Sequence, residues 1–185
     1  VPIEVGRWCE RGDPATDLLV RSDETIRRDT SLDRLASLKT SFRPEGGRVT
    51  AGNASQISDG AAGVLLMAAE RVQAFGLRPR ARIRAVATVG SDPVLMLTGP
   101  IAATRKVLER AGLTLDDIDL FEVNEAFAPV PLIWMQEFGI GHDRVNVCGG
   151  AIALGHPLGA SGARIMTTML HELERRKGRF ALQTI

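Results

Sequence analysis

The stretch that decides the fold is "RVNVCGGAIALGHPLGASGARIMTTMLHELERRKGRFALQTI", residues 144–185. It opens with "RVNVC", which reads as a strand, and closes with "FALQTI", which reads as another. Between them a helix is expected from Pro157 to Lys177, with Ile165, Met166, Met169, Leu170 and Leu173 on one face and Gly178 behind it. Arg175, Arg176 and Lys177 fall at the end where a helix dipole favours positive charge. The turn into that helix carries glycines at 149, 150, 155, 159 and 162 and one histidine, His156, wedged between Gly155 and Pro157. Glycines at this density let backbone approach a ligand closely.

Upstream the same alternation continues. "IDLFEV" is an expected strand, and residues 125–138 an expected helix ended by Gly139. Pro100 starts a helix through Ala111, with Ile101, Val107, Leu108 and Ala111 inward and Gly112 as its stop. "ARIRAVATVG", residues 81–90, alternates and is β-branched, so it is expected as a strand. Residues 70–75 read as a helix stopped by Gly76, whereas periodicity leaves residues 61–67 open between a buried strand and a helix start. Residues 1–47 are polar and weakly periodic, loop-rich around one short amphipathic pattern at Leu32, Leu35, Ala36 and Leu38. Strands alternating with helices imply an α/β layered fold, with the sheet covered by helices and sites at the strand-to-helix turns. Two such turns stand out, "EVNEAF" and "CGGAIALGHPLGASG".

Composition narrows the classes. The 185 residues are 44% hydrophobic, too apolar for a disordered chain and enough for a sizeable core. A net charge of +1 gives no reason to expect a nucleic-acid partner. No apolar run approaches the roughly 20 residues of a membrane span, and no signal peptide is visible. Cys9 and Cys148 are no disulfide framework and fit a reducing compartment, so the expected location is cytoplasmic. The start at Val1 and the stop within "FALQTI" read as the ends of a fragment.

Several motifs fail. Gly150 and Gly155 have P-loop spacing, but His156 stands where the lysine must be. There is no G-x-G-x-x-G, "GASG" is not a hydrolase elbow, and His142, His156, His171 and Cys148 lack zinc spacing, so no metal is expected. What remains is His156 at an expected helix N-terminus, whose partial positive charge favours a neutral imidazole with one donor and one acceptor nitrogen. Such a group can deprotonate a thiol or donate to a developing oxyanion. It can equally be a capping histidine in a glycine-rich turn. Asn124, between a strand and a helix, is either an ordinary N-cap or an amide that holds a water or a substrate oxygen.

"NEAFA" (124–128), "NVCGGAIALGHPLGASGAR" (146–164) and "TAGNASQISDGAA" (50–62), in that arrangement, resemble the thiolase family over roughly residues 22–185. Members transfer acyl groups between coenzyme A and 3-ketoacyl-CoA. The resemblance implies the thiolase fold, layered α-β-α-β-α, with residues 1–69 as the loop region and closing strand of the first half and 70–185 as most of the second. Residues 61–67 then become a strand. It implies that His156 activates a nucleophilic cysteine and contributes to the oxyanion hole, and that Asn124 positions a water there. Ser55, Ala126 and Phe127 would line the pantetheine channel, and Arg27 would lie near the nucleotide end of coenzyme A, if it is not simply a solvated surface charge. It implies acyl-CoA as substrate, no covalently bound cofactor, and a homodimer or homotetramer. The family's two catalytic cysteines would lie upstream of Val1 and just after Ile185; neither Cys9 nor Cys148 matches either position. "NEAFA" with "GHP" argues against a decarboxylating ketoacyl synthase, and a non-catalytic protein that binds acyl-CoA or lipid is the alternative from another class.

Overall fold

The structure, a computed structural model, describes Ile3–Val5, Leu18–Val20, Asp23 and residues 25–185. Cys9 lies outside the described residues. The chain divides into two units, residues 1–37 and 38–185. In the first, β1 (Ile3–Val5) pairs antiparallel with β2 (Leu18–Val20), Ile3 opposite Val20. A short helix, α1 (Leu32–Ala36), follows; the Ser31 side chain accepts from the Arg34 backbone N–H, the usual satisfaction of a first-turn donor.

The second unit holds α2 (Ala69–Ala74), α3 (Gly99–Ala111), a 3-10 turn at Leu115–Asp117, β3 (Leu120–Val123), α4 (Pro129–Phe138), α5 (Ala151–Leu154), α6 (Ser161–Arg176) and β4 (Ala181–Thr184). α3 stops at Gly112, whose φ of 64° lies in the left-handed region where a side chain would be strained. β3 and β4 run parallel, Leu120 opposite Ala181 and Val123 opposite Thr184, and α6 is the crossover that precedes β4. Successive strand residues point to opposite faces. On one face Phe121, Val123 and Leu182 pack with Leu108 of α3 and Val130 and Trp134 of α4. Trp134 is fully buried, and its indole N–H donates to Thr104 Oγ1 at 2.9 Å, so the one polar atom of the ring is satisfied inside the core. The other face meets α6, whose Ile165 is buried. Helices therefore cover this sheet on both sides.

Five expected elements differ. Residues 61–67 form no strand; all are exposed and none enters a ladder. Residues 81–90 also lack a ladder, yet their exposure alternates, with 85, 87 and 89 half-buried and 84, 86, 88 and 90 exposed. Side chains of α3 satisfy part of this backbone: Arg110 donates to the Val86 carbonyl and Lys106 to the Thr88 carbonyl, each at 2.8 Å. "RVNVC" reduces to one bridge, Val145 beside Phe121, because Asn146 turns the chain at φ 49°. α4 starts at Pro129 rather than 125, and α6 at Ser161 rather than Pro157. In the first case the backbone of Ala126 and Ala128 is bonded to Ser55 and Asn53; in the second the Pro157 carbonyl accepts both Ala160 N–H and Ser161 N–H in a turn.

Candidate active site

The two turns singled out in the sequence are joined by a third segment, residues 53–58. Ala54 bridges Phe127 antiparallel, and three residues later Ile57 bridges His156 in parallel. The Ser55 backbone N–H and its Oγ both donate to the Ala126 carbonyl at 3.1 Å, and the Ala128 N–H donates to the Asn53 carbonyl at 2.9 Å. On the other side the His156 N–H donates to the Gln56 carbonyl at 2.9 Å. One strip of backbone thus carries Ser55, Ala126 and Phe127 on one flank and His156 on the other. Phe127 is further fixed edge-to-face by Phe42, ring centroids 5.4 Å apart. The strip runs on into an open cavity of about 440 Å³, lined by residues 58–62 and 157–160.

His156 is half-buried, and its Nδ1 lies 2.6 Å from Ser161 Oγ. Ser161 is buried, and its hydroxyl donates to the Pro157 carbonyl at 3.1 Å. A hydroxyl has one proton. With that proton on Pro157, Oγ accepts from Nδ1–H and Nε2 keeps its lone pair; with the proton shared to Nδ1, the roles of the two ring nitrogens reverse. In both cases Nδ1 is engaged by a residue five positions along the chain, in the first turn of α6. That geometry replaces the expected one: His156 precedes α6 by five residues and is not its capping residue. Gly155, just before it, sits at φ 91°, and a Cβ there would overlap Ser58 Oγ. The glycine is required both by backbone conformation and by the close approach of the strip.

Asn124 is buried at the C-terminal end of β3; its backbone N–H donates to the Thr184 carbonyl at 3.0 Å, and its side-chain oxygen has no hydrogen-bond partner. It is not an N-cap, since α4 begins five residues later. Asn146, which sequence reasoning passed over, holds that strand end. Its side-chain oxygen accepts from the Val123 N–H and its amide donates to the Val123 carbonyl, both at 2.8 Å. One side chain thereby stands in for a ladder residue where the neighbouring strand has already turned away. Arg27 belongs to the other unit and is exposed; its carbonyl accepts from Thr30 Oγ1.

Other ionisable groups mark the face beneath α6. Glu122 is buried on β3, and loss of solvation pushes its carboxyl up to about 7, opposed by Arg164. Glu172 is held down at about 2 by hydrogen bonds from Arg175 and Arg176. The Cys148 thiol is raised by partial burial and by the nearby Glu172 carboxylate, which disfavours the thiolate a nucleophile needs. Among the described residues no group of three or more His, Cys, Asp and Glu side chains gathers as a metal site would.

Two family models match end to end: the thiolase N-terminal domain over residues 1–70 and the thiolase C-terminal domain over residues 77–185. The steroid 3-ketoacyl-CoA thiolase FadA6 of Mycobacterium tuberculosis is 56% identical over 158 residues, 85% of this chain and 38% of its own length. The crystal structure of the Bacillus anthracis acetyl-CoA acetyltransferase superposes with a TM-score of 0.86 at 40% identity, covering 99% of this chain and 45% of that one. Human mitochondrial 3-ketoacyl-CoA thiolase in complex with CoA superposes with a TM-score of 0.80, also at 40% identity, over 98% of this chain and 43% of that one. This chain therefore spans less than half the length of these relatives. Its α/β architecture is the thiolase fold, and the chain belongs to the thiolase family.

Proposed function

We propose that the protein carrying this chain is a thiolase-type acyltransferase, cleaving 3-ketoacyl-CoA with coenzyme A to acyl-CoA and acetyl-CoA, or running the reverse Claisen condensation. The observation that carries the proposal is the His156–Ser161–Pro157 relay. With Nδ1 engaged by Ser161, Nε2 is the nitrogen left for chemistry, and it is taken as the acceptor, with the imidazole proton on Nδ1. It takes the proton of a cysteine thiol, and the thiolate adds to the 3-keto carbon of the 3-ketoacyl-CoA. The bond from that carbon to the neighbouring CH2 breaks, which leaves the acyl group on sulfur and releases acetyl-CoA once its CH2 carbanion is protonated, while the new Nε2–H donates to the thioester oxygen. Asn124, with its unpaired buried amide oxygen, positions a water beside that oxygen. Ser55, Ala126 and Phe127 line the pantetheine channel on the strip beside His156, and Arg27 meets the nucleotide end of coenzyme A. Neither Cys9 nor Cys148 is proposed as the nucleophile, which the rest of the protein supplies. Residues 1–69 and 70–185 are assigned to the two thiolase halves, the whole to a homodimer or homotetramer in the cytoplasm, with no covalently bound cofactor.

The test is covalent acylation of the full-length polypeptide by acyl-CoA. His156→Ala should slow acylation by about 10² or more, because it removes both a base and an oxyanion donor. Its affinity for coenzyme A should stay within about threefold. Wild-type acylation rates in the variant would overturn the role of His156. Binding of acyl-CoA by the wild-type protein with no acylation at all would point instead to a non-catalytic acyl-CoA-binding protein.

A further inference from the structure

Glu125 follows Asn124 directly, and its carboxylate reaches across to the segment that leads into His156. One oxygen accepts from the Asn146 side-chain amide at 2.9 Å, the other from the backbone N–H of Ile152 at 3.1 Å. Ile152 lies in the first turn of α5, where backbone donors have no partner within the helix. α5 is a single turn whose last bond, Gly155 N–H to the Ala151 carbonyl at 2.9 Å, fixes the residue before His156. A four-residue helix has almost no stability of its own. What holds it is the carboxylate at one end and, past Gly155, the bond from the His156 N–H to Gln56 at the other.

The glycine at 150 gives an independent indication. Its backbone is extended, φ −116° and ψ −167°, a conformation open to any residue. Conformation therefore does not demand glycine there. With the Glu125 carboxylate seated, space does: a Cβ built on Gly150 would overlap the carboxyl carbon and both carboxylate oxygens, so the carboxylate would have to leave. Gly150 is the socket and Glu125 the plug.

We propose that Glu125 is a positioning residue, seated against Gly150, that fixes the spacing between Asn124 and the His156 turn; this rests on the thiolase-type reading of those two residues. Asn124 is its covalent neighbour, and His156 hangs from the helix that Glu125 anchors. One carboxylate thereby ties the strand end that carries the amide to the turn that carries the base, and Asn146 makes the tie three-way by bonding the same strand end.

The experiment is a double-mutant cycle in the full-length polypeptide, read in two ways. Glu125→Ala and Gly150→Ala should each lower kcat for thiolysis by about tenfold or more, with KM for acyl-CoA within about threefold, because the base is misplaced while the channel strip stays bonded to Ala126. Once the carboxylate is gone the added methyl has nothing to strike, so the double variant should be no worse than Glu125→Ala within about twofold. Losses that multiply in the double variant would overturn the proposal. The second reading is amide exchange at Ile152 and Gly155, which should quicken by about tenfold or more in either single variant while α3 is unchanged. Unchanged exchange overturns the clamp. This arm needs no turnover, so an inactive wild-type protein would sink the acyltransferase reading and leave the clamp to be judged on exchange. Glu125→Gln keeps an oxygen for the Ile152 N–H; it should retain slow exchange there and most of kcat, and would decide the matter should Glu125→Ala misfold.

Discussion

At the scale of single residues, the chemistry open to His156 depends on its contact with Ser161. His156 read equally as a capping histidine or as a base, because spacing shows which residues are near in the chain and not which hydrogen bonds they make. The structure ends the capping reading, since α6 starts five residues later, and places Ser161 Oγ of "GASG" 2.6 Å from Nδ1; the base is the role proposed. The signal was present: a serine one helical turn and a little more past a histidine, at the first position of a helix. It was legible only once the helix was known to begin at Ser161. We predict that Ser161→Ala lowers the acylation rate of the full-length polypeptide by about tenfold or more, since Nδ1 loses the acceptor that keeps the proton on it. Affinity for coenzyme A should be unaffected, because Ser161 is buried. Equal acylation rates in the variant and the wild type would show that something other than Ser161 selects the tautomer.

Among the elements, helices were easier to read than strands, for a physical reason. A helix satisfies its own backbone, so α3 and the body of α6 stand where the apolar spacing places them. A strand is defined by its neighbours. β3 and β4 find each other across α6, whereas residues 81–90 have strand periodicity with side chains of α3 in place of a ladder. The late start of α4 could not be foreseen either, since the group that holds Ala126 lies 71 residues away at Ser55. Between β3 and α6 the buried Glu122 predicts a pH dependence of stability. Its carboxyl sits at about 7 against an ordinary 4.5, so the folded state holds a proton that the unfolded chain has released. The sign follows: its full contribution to stability is present below about pH 4.5 and is lost as pH rises through about 7. The loss is on the order of 3 kcal/mol for a shift of this size. Urea unfolding midpoints should therefore fall over that window and flatten in Glu122→Gln. An unchanged slope in the variant would assign the dependence to other groups.

For the molecule as a whole, the outcome depends on apolar surface. Leu65, Leu66, Val86, Val94 and Leu95 are all more than 60% exposed in the 185-residue polypeptide. Exposed apolar residues in this number, four of the five in the runs 65–66 and 94–95, favour association. We predict that this polypeptide expressed alone elutes from sizing chromatography as an assembly larger than 19.9 kDa, and that it shows no thiolysis, since no cysteine in it stands where the family places a nucleophile. A monodisperse monomer would overturn the first part, and measurable thiolysis the second. The family motifs made the fold legible at this scale; what they left out is how the strip at residues 53–58 is used. That strip lies within the span matched by one thiolase domain, and the histidine it grips lies within the span matched by the other. Recombination between two thiolase genes at residues 71–76 would look harmless on a domain map. It would nonetheless take Gln56 from one parent and His156 from the other, so chimaeras joined there should succeed or fail on the match between Ser55–Ser58 and the incoming glycine turn.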